Sequence, residues 1–211
     1  MTSAAPLCHS GAVDRQIRQL LARAGRILAP AGQVLGSDRF GDVFAVLVEE
    51  GLVASATGMD EGRRRVIFAL ADADCVLPPP RAGEVLLALE DATLVPLSRA
   101  QALYAPALSE LVSCGLAEAV ASRDETLALF GIVSHVERVR ERLRQLARRH
   151  GRVRRDGIVL DLLLTHELMA GMVGSARETV TVAFGELERE GFLIREGRRY
   201  RINLSPESLL C

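Results

Sequence analysis

Residues 164–194 read LTHELMAGMVGSARETVTVAFGELEREGFLI, and this stretch decides the fold. Thr165 is a capping residue placed just before an apolar run, Met169 and Val173 stand four apart on one face, and Gly174 supplies a turn before the periodicity resumes. The second run carries Val180, Phe184 and Leu187 at i, i+4 and i+7, which gives a helix one buried stripe, and Gly191 ends it. Ser175 and Glu178 have S-x-x-E spacing and predict a capping box at its start. Arg177 and Glu178 fall outside the stripe, in the first turn. Arginine can pair with guanine O6 and N7, and glutamate can accept from cytosine N4, so this turn has the side-chain chemistry of major-groove readout.

The segment that follows alternates. Phe192 and Ile194, then Tyr200, Ile202 and Leu204, recur at every second position around Glu196-Gly197-Arg198, which predicts a β-hairpin with those side chains inward. Together with Gly174-Ser175-Ala176-Arg177-Glu178-Thr179-Val180 and Leu187-Glu188-Arg189-Glu190-Gly191, this string closely resembles the winged helix-turn-helix of the cyclic-AMP receptor protein and fumarate-nitrate regulator (CRP/FNR) superfamily of bacterial transcription factors. The resemblance implies a recognition helix at 176–190 in the major groove of a near-palindromic double-stranded DNA operator, a homodimer, and RNA polymerase as a further partner. It places Arg177, Glu178 and position 182 toward base edges, and adds Thr165 and Thr181 to the DNA-binding set. Many members carry a second arginine where this chain has Val182, which can touch a thymine methyl but donates nothing to guanine. Ser175 and Thr179 are phosphate candidates at a helix N-terminus, although Ser175 and Glu178 can equally serve the cap. Arg198, Arg199 and Arg201 of the wing are either backbone contacts or a solvated hairpin tip.

The chain has 211 residues, enough to bury roughly 70% of its unfolded surface and form two modest domains. Hydrophobic residues make up 49% and charged residues 25%, ordinary for a globular protein. No apolar run reaches the ~18 residues of a membrane span, and the N-terminus has no basic start followed by an apolar core, so a cytoplasmic protein without an export signal is expected. The net charge of −1 is unevenly spread: residues 1–132 hold 11 Arg against 16 acidic residues, and residues 133–211 hold 15 against 11. The C-terminal part, at +4, is therefore the nucleic-acid candidate. Cys8, Cys75, Cys114 and Cys211 have no C-x-x-C spacing, so no metal or cofactor is expected. Cys75, in a region where some family sensors hold haem, and the Cys8-His9 pair leave a haem or thiol sensor as a variant reading.

Toward the N-terminus, residues 12–24 carry Val13, Ile17, Leu20 and Leu21 at helical spacing. Short β-like runs follow at 26–28, 43–49, 52–56, 65–70, 85–89 and 93–97, punctuated by glycines, which suits an antiparallel roll. The run Arg63-Arg64-Arg65 reads as a solvated hairpin end. The whole is an α+β chain, with a degenerate cyclic-nucleotide-binding-like β-roll at 1–105, a dimerisation helix at 106–131 and a DNA-binding domain at 132–211. The family's phosphate cassette has no counterpart: the chain passes from Asp74-Cys75 through Pro78-Pro79-Pro80 to Arg81-Ala82-Gly83-Glu84, and three prolines cannot offer an amide nest to an anion. Cyclic AMP and cyclic GMP are not expected to bind.

Leu108, Leu111, Val112, Leu116, Ala119, Val120, Leu127 and Phe130 form a broad apolar stripe for dimerisation, part of which packs on the roll. The next helix, 134–150, combines Val136, Val139, Leu143 and Leu146 with six arginines read as a largely solvated face. No nucleophile elbow, phosphate loop or metal-ligand cluster points to an enzyme. A winged helix that binds protein instead of DNA is the remaining alternative.

Overall fold

The computed structural model describes residues 15–58 and 64–204, which fall into two compact units divided between Asp124 and Glu125. Val13, the Cys8-His9 pair, Arg63 and Cys211 lie outside the described residues.

In the N-terminal unit, α1 (Arg15–Leu21) leads into β1 (Ile27–Ala29), β2 (Val34–Gly36), β3 (Ala45–Glu50), β4 (Val53–Thr57), β5 (Ile67–Ala71), β6 (Val76–Leu77), β7 (Glu84–Ala88) and β8 (Ala92–Leu97). The strands form two antiparallel sheets, in the orders β1-β8-β3-β6 and β2-β7-β4-β5. Strand alternation explains how both faces of the first sheet are used. Val46 and Val48 of β3 join Val53, Leu86 and Leu94 in the core between the sheets, whereas Ala45 and Leu47 turn to the opposite face. There they meet Ile17 and Leu21 of α1, Ala102 of α2 (Arg99–Tyr104) and Leu108 and Val112 of α3 (Pro106–Phe130). Sheet and helices thus make the expected β-roll of an α+β chain.

The six runs read as strands match β1, β3, β4, β5, β7 and β8 to within about two residues at each end. β2 and β6, at three and two residues, are too short to show alternation. α2 was not anticipated either, although Ser98 and Gln101 close a reciprocal capping box at its start.

α3 splits the stripe read for it. Leu108, Val112 and Ala119 are buried in the N-terminal unit, while Val120, Leu127 and Phe130 are exposed. Gly115 makes the closest approach, because a Cβ there would lie 2.6 Å from the Cβ of Val76.

The C-terminal unit takes the end of α3, then α4 (His135–His150), β9 (Gly151–Arg154), β10 (Gly157–Leu160), α5 (His166–Val173), α6 (Arg177–Arg189), β11 (Leu193–Glu196) and β12 (Arg199–Ile202). The wing is wider than a hairpin: β11-β12-β10-β9 form one antiparallel sheet. Its register also differs from the sequence reading. Leu193 pairs with Ile202 and both are buried, whereas Ile194 pairs with Arg201 and is half-buried. Phe192 is buried just before the strand, and Leu193 is the one buried residue within β11. Val139, Leu143, Met169, Val173, Val180, Phe184 and Leu187 fill the unit's core, as their spacing predicts.

Candidate nucleic-acid interface

Two helices and the turn between them set the interface. The Thr165 hydroxyl caps α5 by accepting from the Leu168 N–H at 3.0 Å. Gly174 ends α5 in the left-handed region at φ 62°, where its N–H bonds to the Ala170 carbonyl. A side chain at 174 would also collide with the Phe130 ring, 2.7 Å from an added Cβ.

This turn carries Ser175 inward and overturns the capping box. Ser175 is buried, with its hydroxyl 2.9 Å from His135 Nδ1 on α4, and the N-cap of α6 is Ala176 with no side-chain cap. Ser175 is therefore withdrawn from a phosphate surface, and Glu178 is released from the cap into solvent.

α6 is divided lengthwise. Val180, Ala183, Phe184 and Leu187 are buried, and Arg177, Glu178, Thr181, Val182, Glu188 and Arg189 make an exposed stripe along the other side. Val182 is 63% exposed near the middle of that stripe. Thr179 is half-buried, and with Glu178, Val182, Ala183, His135 and Val136 it lines an open cleft. Thr181 is engaged on both sides: its hydroxyl donates to the Arg177 carbonyl at 2.9 Å and lies 2.9 Å from His166 Nδ1. Neither the role of His166 nor that of His135 was read from the sequence; a histidine directly after a cap residue was the available signal.

The arginines of α4 are mostly structural, contrary to the solvated face expected of them. Arg142 is buried, donating to Thr126 Oγ1 at 2.6 Å and to the Met172 carbonyl at 3.3 Å, and burial lowers its guanidinium to about 10. Arg138 spans the Ile132 and Val173 carbonyls. Arg140 reaches Glu190 at 2.6 Å and lies 5.0 Å from the Phe192 ring centre. These side chains do the work of packing and capping because long arginines can bury their stems and still find carbonyl partners.

In the wing, Asp161 holds Arg199 at 3.0 Å and Arg152 at 2.8 Å. Arg201 bonds Glu196 at 2.6 Å, while Arg198 is exposed at the hairpin tip. Arg152, Arg199 and Arg201 are thus each paired with a carboxylate of their own unit.

In the N-terminal unit, Arg123 of α3 bonds Glu84 of β7 at 2.9 Å and lies over the Phe68 ring at 4.3 Å. The Cys75 thiol donates to Asp72 at 3.0 Å, and burial beside that carboxylate pushes it far above its ordinary range. Among the described residues no group of three His, Cys, Asp or Glu could hold a metal, and no helix is long and apolar enough to cross a membrane.

Residues 137–210 match the Crp-like helix-turn-helix domain. The chain is similar in structure to a mutant of CooA from Carboxydothermus hydrogenoformans, with a TM-score of 0.77 at 20% identity over 93% of this chain and 90% of that one. It is also similar to a CRP/FNR-family transcriptional regulator from Thermus thermophilus, with a TM-score of 0.64 at 23% identity over 88% and 96% of the two chains. FixK2 from Bradyrhizobium japonicum gives 0.69 at 20% identity over 88% and 95%. No curated protein matches the chain by sequence. The chain therefore has the fold of the CRP/FNR regulators and carries a Crp-like helix-turn-helix domain at its C-terminal end.

Proposed function

We propose that the protein is a dimeric, sequence-specific DNA-binding transcription regulator that lays α6 in the major groove. The observation that carries this reading is the exposed stripe of α6, which sets Arg177, Glu178 and Val182 side by side on a helix held rigidly from behind. Arg177 takes a guanine, Glu178 a cytosine amino group and Val182 a thymine methyl. Thr165, Thr179, Arg198 and Arg199 serve the phosphate backbone, and Thr181, whose hydroxyl is spoken for, fixes the first turn.

Dimerisation is supported by α3. Ser113, Ala117, Val120, Asp124 and Leu127 are all exposed and follow one another at alternating steps of four and three, the spacing at which seam positions recur in a two-stranded coiled coil. A two-fold dimer would place half-site centres about 34 Å apart. RNA polymerase is the further partner such a regulator would engage.

We infer further that cyclic AMP and cyclic GMP are not its signals. Arg123 of α3 and Glu84 of β7 are committed to each other, and Gly115 brings the helix backbone against Val76. A thiol-sensing variant is disfavoured because Cys75 is held as a neutral thiol on Asp72.

The test is the salt dependence of duplex binding. A protein making six to ten phosphate contacts loses roughly 10³- to 10⁵-fold in affinity between about 50 and 200 mM salt. Binding that is flat with salt, or absent for every duplex, would replace this reading with the protein-binding winged helix.

A further inference from the structure

His166 is the first residue of α5 and the point where three elements of the C-terminal unit meet. Its ring packs 4.8 Å from Phe184 of α6, and Phe184 in turn meets Tyr200 of β12 edge-on at 5.1 Å. Nδ1 lies 2.9 Å from Thr181 Oγ1. The Thr181 hydroxyl already gives its proton to the Arg177 carbonyl, so Nδ1 is the donor in this contact and the neutral ring keeps its proton there. Nε2 is left as an acceptor, 3.5 Å from the Tyr200 hydroxyl.

The charged and titratable groups facing the ring are Arg177 and Glu188 from α6, Arg195 from β11 and Tyr200 from β12. Burial is the larger effect, and Arg177 and Arg195 outweigh Glu188 in the same direction, so the ring is held below the ordinary 6.5. The unfolded chain then binds the proton more readily, and the free protein loses stability as pH falls below about 6.5. The phosphates of a docked duplex, where they come within a Debye length of about 8 Å, favour the imidazolium and oppose the effect of those arginines.

We propose that His166 is a positioning residue for Arg177 that takes up one proton at Nε2 when α6 docks on duplex DNA, so that specific binding tightens as pH falls. The proposal rests on the reading of α6 as the DNA reader. The imidazolium still donates from Nδ1 to Thr181 and gains an Nε2–H directed at the Tyr200 oxygen, so protonation leaves the first turn of α6 in place.

The test is calorimetric titration of the full chain with its selected duplex near pH 6, in two buffers of different ionisation enthalpy, alongside affinities from about pH 7.5 to 5.5. The wild type should take up as much as one proton per chain, its affinity for the duplex rising by at most tenfold per pH unit for each proton taken up, and so at most a hundredfold for the dimer. His166→Gln should abolish the uptake, and His135→Gln should retain it. A purely structural role would lower affinity in His166→Gln without changing the proton count.

Equal uptake by the wild type and His166→Gln, or loss of the uptake in His135→Gln alone, would overturn the proposal while leaving DNA reading intact. A wild type that binds no duplex overturns both. Should His166→Gln fold poorly, NMR titration of the wild-type ring decides: its midpoint should rise by at least half a pH unit on DNA, and an unchanged midpoint refutes the proposal.

Discussion

α4 and α6 both carry arginine, and they use it in opposite ways. α4 has six, and Arg138, Arg140 and Arg142 are spent on carbonyls, carboxylates and a buried hydroxyl of their own unit. α6 has two, Arg177 and Arg189, and both stand on its exposed stripe. The helix with the larger charge is scaffold, and the sparse one faces outward. A positive excess over residues 133–211 therefore points to the unit that carries the helix-turn-helix without singling out the exposed stripe of α6. What distinguishes that stripe is that Arg177, Glu178 and Val182 stand exposed on a helix whose other side, Val180, Ala183, Phe184 and Leu187, is buried.

The comparison breaks most visibly if Arg142 is removed. Arg142→Ala takes away the donor to Thr126 Oγ1 and the Met172 carbonyl and empties the space of a buried side chain, and the C-terminal unit should lose about 2 to 3 kcal/mol in denaturant unfolding. An Arg142→Ala protein as stable as the wild type would show that α4 is not the scaffold described. In the N-terminal unit, Gly115→Ala drives a methyl into Val76 and should cost about 1 to 3 kcal/mol, read by the same unfolding experiment. Indifference at 115 would mean that α3 is not seated on β6.

On α6 the consequences move from stability to specificity. Val182→Arg is exposed and should change stability by no more than about 0.5 kcal/mol. It should nonetheless shift preference at one position per half-site by about 1 to 3 kcal/mol toward guanine, measured by competition between duplexes. Unaltered preference would turn residue 182 away from the bases. The smallest effect belongs to the wing. Arg199→Ala removes an exposed ion pair with Asp161, leaves stability within about 1 kcal/mol, and should lower the salt slope by about one if the side chain meets a phosphate.

How much of this was legible in the sequence depends on whether the signal was periodic. Val180, Phe184 and Leu187 announced the buried stripe of α6, and Met169 and Val173 that of α5, because helical burial repeats over several turns. The boundary between them was misread, since S-x-x-E spacing says nothing of a left-handed Gly174 that turns Ser175 toward His135. The one-residue error in the wing, Ile194 for Leu193, arose because Phe192, Leu193 and Ile194 are consecutive apolar residues and alternation alone cannot choose among them. β9 was missed because two of its four residues are arginines, and β10, Gly157–Leu160, because four residues buried on both faces show no alternation. The two sides of α3 were blended into one stripe, because its exposed Val120, Leu127 and Phe130 are as apolar as its buried Leu108, Val112 and Ala119, and periodicity does not separate them.

The central claim is that the exposed stripe of α6 reads duplex sequence through Arg177. Selection of bound duplexes from a random pool, carried out in parallel on the wild type and Arg177→Ala, tests it most directly. The wild type should return a near-palindrome with a fixed guanine in each half-site, and Arg177→Ala, folded as stably, should return no consensus while keeping weak, salt-sensitive binding. The same motif from both proteins, or no enrichment by the wild type, would contradict the account.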